Sequence, residues 1–240
     1  MIRSYSSIHP PGRVLLPTEP GWDHLVLAGS GIVTAHTPAH AWTIPVHRAL
    51  CVPDGTRLRI ETSRRTLIRC LYARTDLGLV HNQVQVTNLN PLTNELITHA
   101  IDSAPLTRKD PTAAALITLI ADQLARQPNT ALQLPMPSDP APIALANAIL
   151  AAPALSLDDH LRSATASRRT LERNFKAQTK MSLGSWRRRA RILAAVAMLA
   201  EGDSVTSVGF GVGYGSASSF IAAFGAELGA TPGEFMRRQP

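Results

Sequence analysis

The chain has 240 residues, 45% of them hydrophobic, at a mean hydropathy near zero, which is enough to bury a core and excludes a disordered polymer. It holds no run of the roughly 20 apolar residues that a membrane span needs, and prolines stand in "MIRSYSSIHPPG" where a secretory signal would carry its apolar stretch. The formal charge of +7 is carried mostly by arginine, the cation suited to bidentate contact with phosphate and guanine, although a genome rich in G and C produces the same bias.

A cytoplasmic protein of one or two domains, without membrane contact, is expected on these grounds. Cys51 and Cys70 are too few and too widely spaced for a zinc site or a disulfide framework, and read as buried thiols.

Up to about residue 90 the pattern is that of strands. Short apolar pieces ("RVLL", "HLVLAG", "GIVTAH", "AWTIPV", "RLRIET") recur between Pro, Gly, Asp and Thr, as in a small antiparallel barrel or sandwich. "VPDG" (52–55) is a proline-initiated turn. From Asn90 the period lengthens. "NPLTNELITHAI" and "PTAAALITLIADQLAR" space their apolar residues as helices, the second starting at Pro111 and stopping before Gln127, Pro128 and Asn129. Its Leu116, Leu119, Ile120 and Leu124 suit either a contact between protomers or packing against the strands. "LPMPSDPAP" (134–142) carries four prolines, so neither a helix nor a central strand is expected to pass through it, and the domain boundary is placed there.

Beyond the boundary everything reads as helix. After "PIALANAILAA", "SLDDHLRSA" opens with Ser156 and Asp159 at capping-box spacing, and "SRRTLERNFKAQT" opens with Ser167 as N-cap. A long helix is predicted between Ser182 and Gly202, with Trp186, Ala190, Leu193, Ala197 and Ala200 on one face. Three short pieces follow, the last with Thr231 as cap, Pro232 at the first helical position and Glu234 at the third. "SRRTLERNF" and "SASSFIAAF" share Ser, then an apolar residue four later, then Phe four after that, so two similar helices stand 49 residues apart from Leu171 to Phe220.

Charge is concentrated on the first of these. Between Ser156 and Leu193 there are ten Lys or Arg against three acids, while the rest of the chain has fourteen of each, so the whole excess sits in one window. Such a field attracts polyanions and makes nucleic acid the leading partner. Each copy has the outline of a helix-turn-helix, whose second helix enters the major groove. With Leu171 and Phe175 inward, Arg168, Arg169, Glu172, Arg173 and Lys176 face solvent and supply donors for guanine and phosphate and an acceptor for cytosine. Arg187, Arg188, Ser216, Ser218 and Ser219 complete the expected DNA-binding set.

Residues 155–238 resemble the DNA-binding domain of AraC-type (AraC/XylS) bacterial transcription regulators. The resemblance rests on "S-R-x-L-x-R-x-F" (167–175), on Arg191 with Ala195 and Leu199, on "G-Y-x-S-x-S-x-F" (213–220), and on Phe224, Gly229 and "T-P-x-E-F". It implies that Arg169, Glu172 and Arg173 of the first recognition helix, and the region of Ser218, Ser219, Ile221 and Ala222 in the second, read adjacent major grooves of double-stranded DNA. It further implies activation through RNA polymerase, with repression left open. His160 stands where the family has an aliphatic residue and Thr165 where its turn has Gly, so this turn is expected to be built differently or strained. Gly209 and Gly211 are expected to weaken their helix by about 1 kcal/mol each.

The N-terminal part is similar to the cupin-like sensor domains of such regulators, chiefly through residues 24–55. Thr18, Pro20 and Leu58 occupy the places of that fold's metal-binding histidines, so neither a metal nor another cofactor is expected. His36, His40 and His47 on a turn-rich segment read as ordinary polar residues. A barrel without metal can enclose a small effector, with Trp22, His24, Trp42, His47 and Cys51 as lining candidates.

The resulting expectation is an α+β chain with three parts. Residues 1–133 form a cupin-like antiparallel barrel followed by two helices that senses an effector or forms a homodimer, 134–142 a proline-rich linker, and 143–240 an all-α domain of two helix-turn-helix units joined by a long helix. The function expected is sequence-specific transcription regulation, without enzymatic activity. The alternative is a cupin-type small-molecule binding protein or enzyme with an accessory helical domain.

Overall fold

A computed structural model describes residues 1–127, 129–130 and 132–237. Pro128, one of the predicted helix-end signals, and residues 238–240 of the predicted C-terminal domain lie outside the described residues. The chain is α+β and its described residues divide into two compact units, one of Met1–Thr37 with Trp42–Gln133, the other of Pro38–Ala41 with Leu134–Arg237.

The first unit contains β1 (Ile2–His9), β2 (Gly12–Leu15), β3 (Trp22–Ala28), β4 (Ile32–His36), β5 (His40–Pro45) from Trp42 on, β6 (Arg48–Val52), β7 (Arg59–Thr62), β8 (Thr66–Arg74), β9 (Gln85–Asn88), α1 (Pro91–Asp102), α2 (Pro111–Arg126) and β10 (Asn129–Thr130). The barrel expected from the strand pattern takes the form of two antiparallel sheets. One has the order β1-β8-β3-β6-β9-β10, and β5, β4, β7 and β2 neighbour one another in the other. The strand β1 carries too few apolar residues to stand out in the sequence, and pairs along its full length with β8, from Ile2 opposite Ala73 to His9 opposite Thr66.

Period-two alternation assigns the faces of the larger sheet. Leu25, Leu27, Cys51, Leu71 and Ala73 point to one side, where Ile97, Ile101, Ile117, Ile120 and Leu124 of α1 and α2 bury them. Most of the apolar stripe of α2 is thereby spent inside its own unit; Leu116 packs against this core, and Leu119 stays 40% exposed. Both helices start as the sequence dictates. Asn90 Oδ1 accepts from Thr93 N at 2.8 Å and the Asp110 carboxylate from Thr112 N and Ala113 N, each just before a proline at the first helical position.

The second unit contains β11 (Gln133–Pro135), which begins in the first, and α3 (Pro140–Ala151), α4 (Leu157–Arg162), α5 (Arg168–Thr179), α6 (Leu183–Ala200), α7 (Val205–Gly211), α8 (Ala217–Leu228) and α9 (Pro232–Arg237). The proline-rich segment is more ordered than its composition suggests. It opens in β11, and α3 starts inside it, because Pro140 and Pro142 fall in the first turn, where a missing N–H leaves no bond broken. Gln178 Oε1 accepts from Ser138 N at 2.8 Å and Asp139 N at 3.2 Å, and Trp186 Nε1 donates to the carbonyl of Pro135.

Candidate nucleic-acid interface

The two helix-turn-helix units are built on one plan. In α5 the Ser167 hydroxyl accepts from Thr170 N, and in α8 the Ser216 hydroxyl accepts from Ser219 N; both helices run twelve residues. Leu171 and Phe175 on α5, and Phe220 and Phe224 on α8, are fully or almost fully buried at matching positions. Phe175 meets Trp186 edge-on at 5.2 Å, and Phe224 lies between Phe220 and Phe235 at 5.7 and 5.5 Å. Within the second unit, α6 packs against α3 and α5 on one side and against α7, α8 and α9 on the other. Its 18 residues span about 27 Å, close to the ~34 Å repeat of the major groove.

The turns differ. Gly213 in the second turn has φ of 87°, the left-handed conformation that favours glycine, whereas Thr165 is not among the residues with positive φ. The first turn is thus built differently rather than strained: Ala164 N donates to the Leu161 carbonyl, and α4 ends on Ser163 in a right-handed bridge conformation. His160 fills its aliphatic place as a buried ring whose Nε2 lies 3.1 Å from the carbonyl of Ala152. Gly209 also has a packing reason: a Cβ there would lie 3.1 Å from Phe220 Cβ, so its lost helix propensity is exchanged for close approach of α7 and α8.

On the outer face of α5, Arg169, Arg173 and Lys176 are exposed. With Glu172, and with Ser182, Leu183 and Gly184 at the start of α6, they line a concavity of about 470 Å³. Arg168 is engaged otherwise, donating from Nε to Glu172 at 2.9 Å and from Nη1 to Asp158 at 3.0 Å, so it ties α4 to α5 and holds the Glu172 carboxylate in place. Arg188 is exposed on α6. Arg187, a member of the expected DNA-binding set, donates to the carbonyl of Leu155, and its burial lowers its pKa. On α8 the hydroxyl of Ser216 caps the helix and that of Ser219 donates back to the Ser216 carbonyl at 2.8 Å, leaving Ser218, Ile221 and Ala222 as the exposed face.

Sequence reasoning passed over a joint inside the helical unit, between α6 and the segments that precede α4 and α8. Arg191 on α6 donates from Nε to the carbonyl of Pro153 at 3.0 Å and from Nη2 to that of Gly213, and its guanidinium lies 5.1 Å from the Tyr214 ring. A Cβ on Gly213 would meet this guanidinium and the Ala154 carbonyl. Of the four arginines of α6 only Arg188 is exposed, so the one signal in the sequence was the place of Arg191 in the family resemblance.

Of the five lining candidates of the first unit, Cys51 does not share the face of Trp22 and His24. Trp22 and His24 share a face of β3 with Tyr72, since His24 pairs with Tyr72 and Val52. Cys51 pairs with Leu25 and is buried on the opposite face, against the helices, because neighbouring residues alternate in a strand. Burial pushes the Cys51 and Cys70 thiols up to about 12, leaving both protonated. Trp42 donates to Thr37 Oγ1 at 3.3 Å in the other sheet, and His47 occupies a turn at φ of 60°. Trp22 lies under the guanidinium of Arg3 at 4.5 Å. His24 is 2% exposed, its ring edge-on to Tyr72 at 4.9 Å, and neither ring nitrogen has a hydrogen-bond partner among the described residues. Desolvation lowers its pKa, against the attraction of Asp54.

Comparison with known proteins agrees with this architecture. A helix-turn-helix domain family matches residues 161–238. The HTH-type transcriptional regulator NimR of Escherichia coli is 26% identical over 216 residues, covering 89% of this chain and 79% of its own. The HTH-type transcriptional regulator RipA of Corynebacterium glutamicum is 35% identical over 112 residues, 45% of this chain and 34% of its own. A crystal structure of an AraC-type regulator from Chromobacterium violaceum aligns at a TM-score of 0.38 and 24% identity, over 40% of this chain and 88% of that one. The capped pair of helices on a shared rod, together with the helix-turn-helix family match and the likeness to NimR, shows that the chain carries a DNA-binding helix-turn-helix domain of the AraC type and is similar to transcription regulators.

Proposed function

We propose that residues 143–240 read two adjacent major grooves of an operator, with residues 1–133 as a sensing or dimerising domain and 134–142 as the join between them. The observation that carries the reading is the face of α5, where Arg169, Arg173 and Lys176 stand exposed beside a concavity, with no ion-pair partner among the described residues. Arg169 and Arg173 are assigned to guanine edges or phosphate, Lys176 and Arg188 to phosphate, and Ser218 to a base or backbone contact in the second groove. Arg168 and Glu172 act as a pair: the arginine orients the carboxylate, which retains free lone pairs for a cytosine amine. Ser216 contributes through the helix start it caps, Ser219 through its bonds to that cap, and Arg187 through the fold.

His24 supports an effector site on the inner side of the larger sheet, because a buried ring with both nitrogens unpartnered is costly until a polar ligand satisfies it. The exposed Leu92 and Leu119 on α1 and α2 support a homodimer. RNA polymerase as a further partner, a cytoplasmic location and the absence of catalysis belong to the same reading. Sedimentation analysis and ligand-induced thermal shifts address the dimer and the effector.

The deciding experiment is binding to genomic fragments selected with the full chain. Arg169→Ala with Arg173→Ala is expected to cost about 1–3 kcal/mol per arginine and to erase sequence preference, with helix content unchanged. Retained specific binding in this double variant would refute the site. The rival reading, a small-molecule protein with an accessory helical domain, predicts DNA affinity without sequence preference in the unmodified chain.

A further inference from the structure

The 49-residue offset that superimposes the caps and cores of α5 and α8 also aligns their outer faces, and there the chemistry does not repeat. Arg169 corresponds to Ser218, Glu172 to Ile221, Arg173 to Ala222 and Lys176 to Gly225. Every charged position on the first face is small or apolar on the second. No charged side chain occurs on α8 before Glu227, which lies 3.5 Å from Arg189 of α6. Ile221 stands 37% exposed on a helix whose inward residues are fully buried, so it is presented outward rather than left over from packing.

We infer that the two units read opposite kinds of sequence, α5 taking a G·C-containing half-site through Arg169 and Arg173, and α8 an A·T-containing half-site through the thymine 5-methyl groups that meet Ile221 and Ala222. This rests on the groove-reading function proposed above. The chemistry follows from what each base edge offers. Guanine presents two acceptors, O6 and N7, matched by a guanidinium fork, whereas the apolar feature of the major groove is the thymine methyl. A face with no long donors can gain little from guanine, and an isoleucine placed against O6 and N7 would desolvate acceptors without replacing their hydrogen bonds. Against thymine the same side chain buries a methyl group. The cations also place the phosphate anchoring mainly on the first half-site.

The test uses the full chain and duplexes selected from a randomised pool. Selected sites are expected to show one half enriched in G·C and the other, about one turn away, in A·T. Uracil in place of thymine in the A·T half removes only the methyl and is expected to weaken binding about fourfold per contacted group. 7-Deazaguanine in the other half removes N7 and is expected to weaken it about tenfold. Ile221→Ser is expected to reduce the response to uracil, leaving the part carried by Ala222, while keeping the response to deazaguanine, and Arg173→Ala to weaken the latter alone. Specific binding indifferent to uracil, or equal G·C enrichment in both halves, overturns the inference and leaves the regulator reading intact. A pool from which no sequence is enriched overturns both.

Discussion

Gly213 shows how a single residue can be fixed by two independent demands. Its φ of 87° is a conformation L side chains rarely adopt, and the volume a Cβ would fill is occupied by the Arg191 guanidinium and the Ala154 carbonyl. Gly213→Ala is therefore expected to destabilise the protein by about 2–4 kcal/mol, read as a lower denaturation midpoint at an unchanged slope. At Gly209 the backbone is unremarkable and only the Phe220 contact opposes a methyl, so the cost of the alanine there is set by how far the ring can give. The contrast explains why composition alone misjudged this stretch. A glycine that looks like a helix defect in isolation is what allows α7 and α8 to approach.

Among the helices, α6 is both the spacer that separates the two recognition helices and the member that fixes their mutual rotation. Hydrophobic packing alone leaves rotation about its axis weakly specified, whereas a planar guanidinium bonded to two carbonyls 60 residues apart, those of Pro153 and Gly213, has one orientation. Arg191→Lys is expected to weaken binding to a complete two-part site more than tenfold, because an ammonium cannot serve both carbonyls and stack on Tyr214. Its effect on thermal stability is expected to stay below that of Gly213→Ala. Equal binding by the lysine variant, measured by titration of the complete site, would show that the carbonyl contacts do not set the rotation. Most of this level was legible in the sequence: the caps Ser156, Ser167 and Thr231 and the long helix stand where spacing put them. What escaped was tertiary. Helix α3 began inside the proline-rich segment because proline is harmless in a first turn, and the fixing of that segment by Gln178 and Trp186 depends on side chains some 40 to 50 residues away. The sidedness of Cys51 was hidden because strand register, unlike helical spacing, is decided by the partner strand.

For the molecule as a whole, the distribution of charge governs how DNA binding responds to salt. The excess of cations lies between Ser156 and Leu193, and part of it is spent internally: Arg168 on Asp158 and Glu172, Arg162 on Asp159, Arg187 and Arg191 on carbonyls. The number of counterions released is thus expected to be smaller than the formal charge of +7 suggests. Lys176→Ala is expected to lower the slope of log affinity against log salt by about one, and to weaken all sequences alike, whereas Arg162→Ala leaves the slope unchanged. An equal change in slope for both variants would mean that the ion pairs within the helical unit open on the duplex.

The unlike outer faces of α5 and α8 have one more consequence. A protein whose two probes were interchangeable would lie on the duplex either way round, but one with a cationic probe and an oily probe has a head and a tail. Each bound chain then points along the DNA like an arrow, and inverting its site within a promoter turns the same protein to face away from the gene.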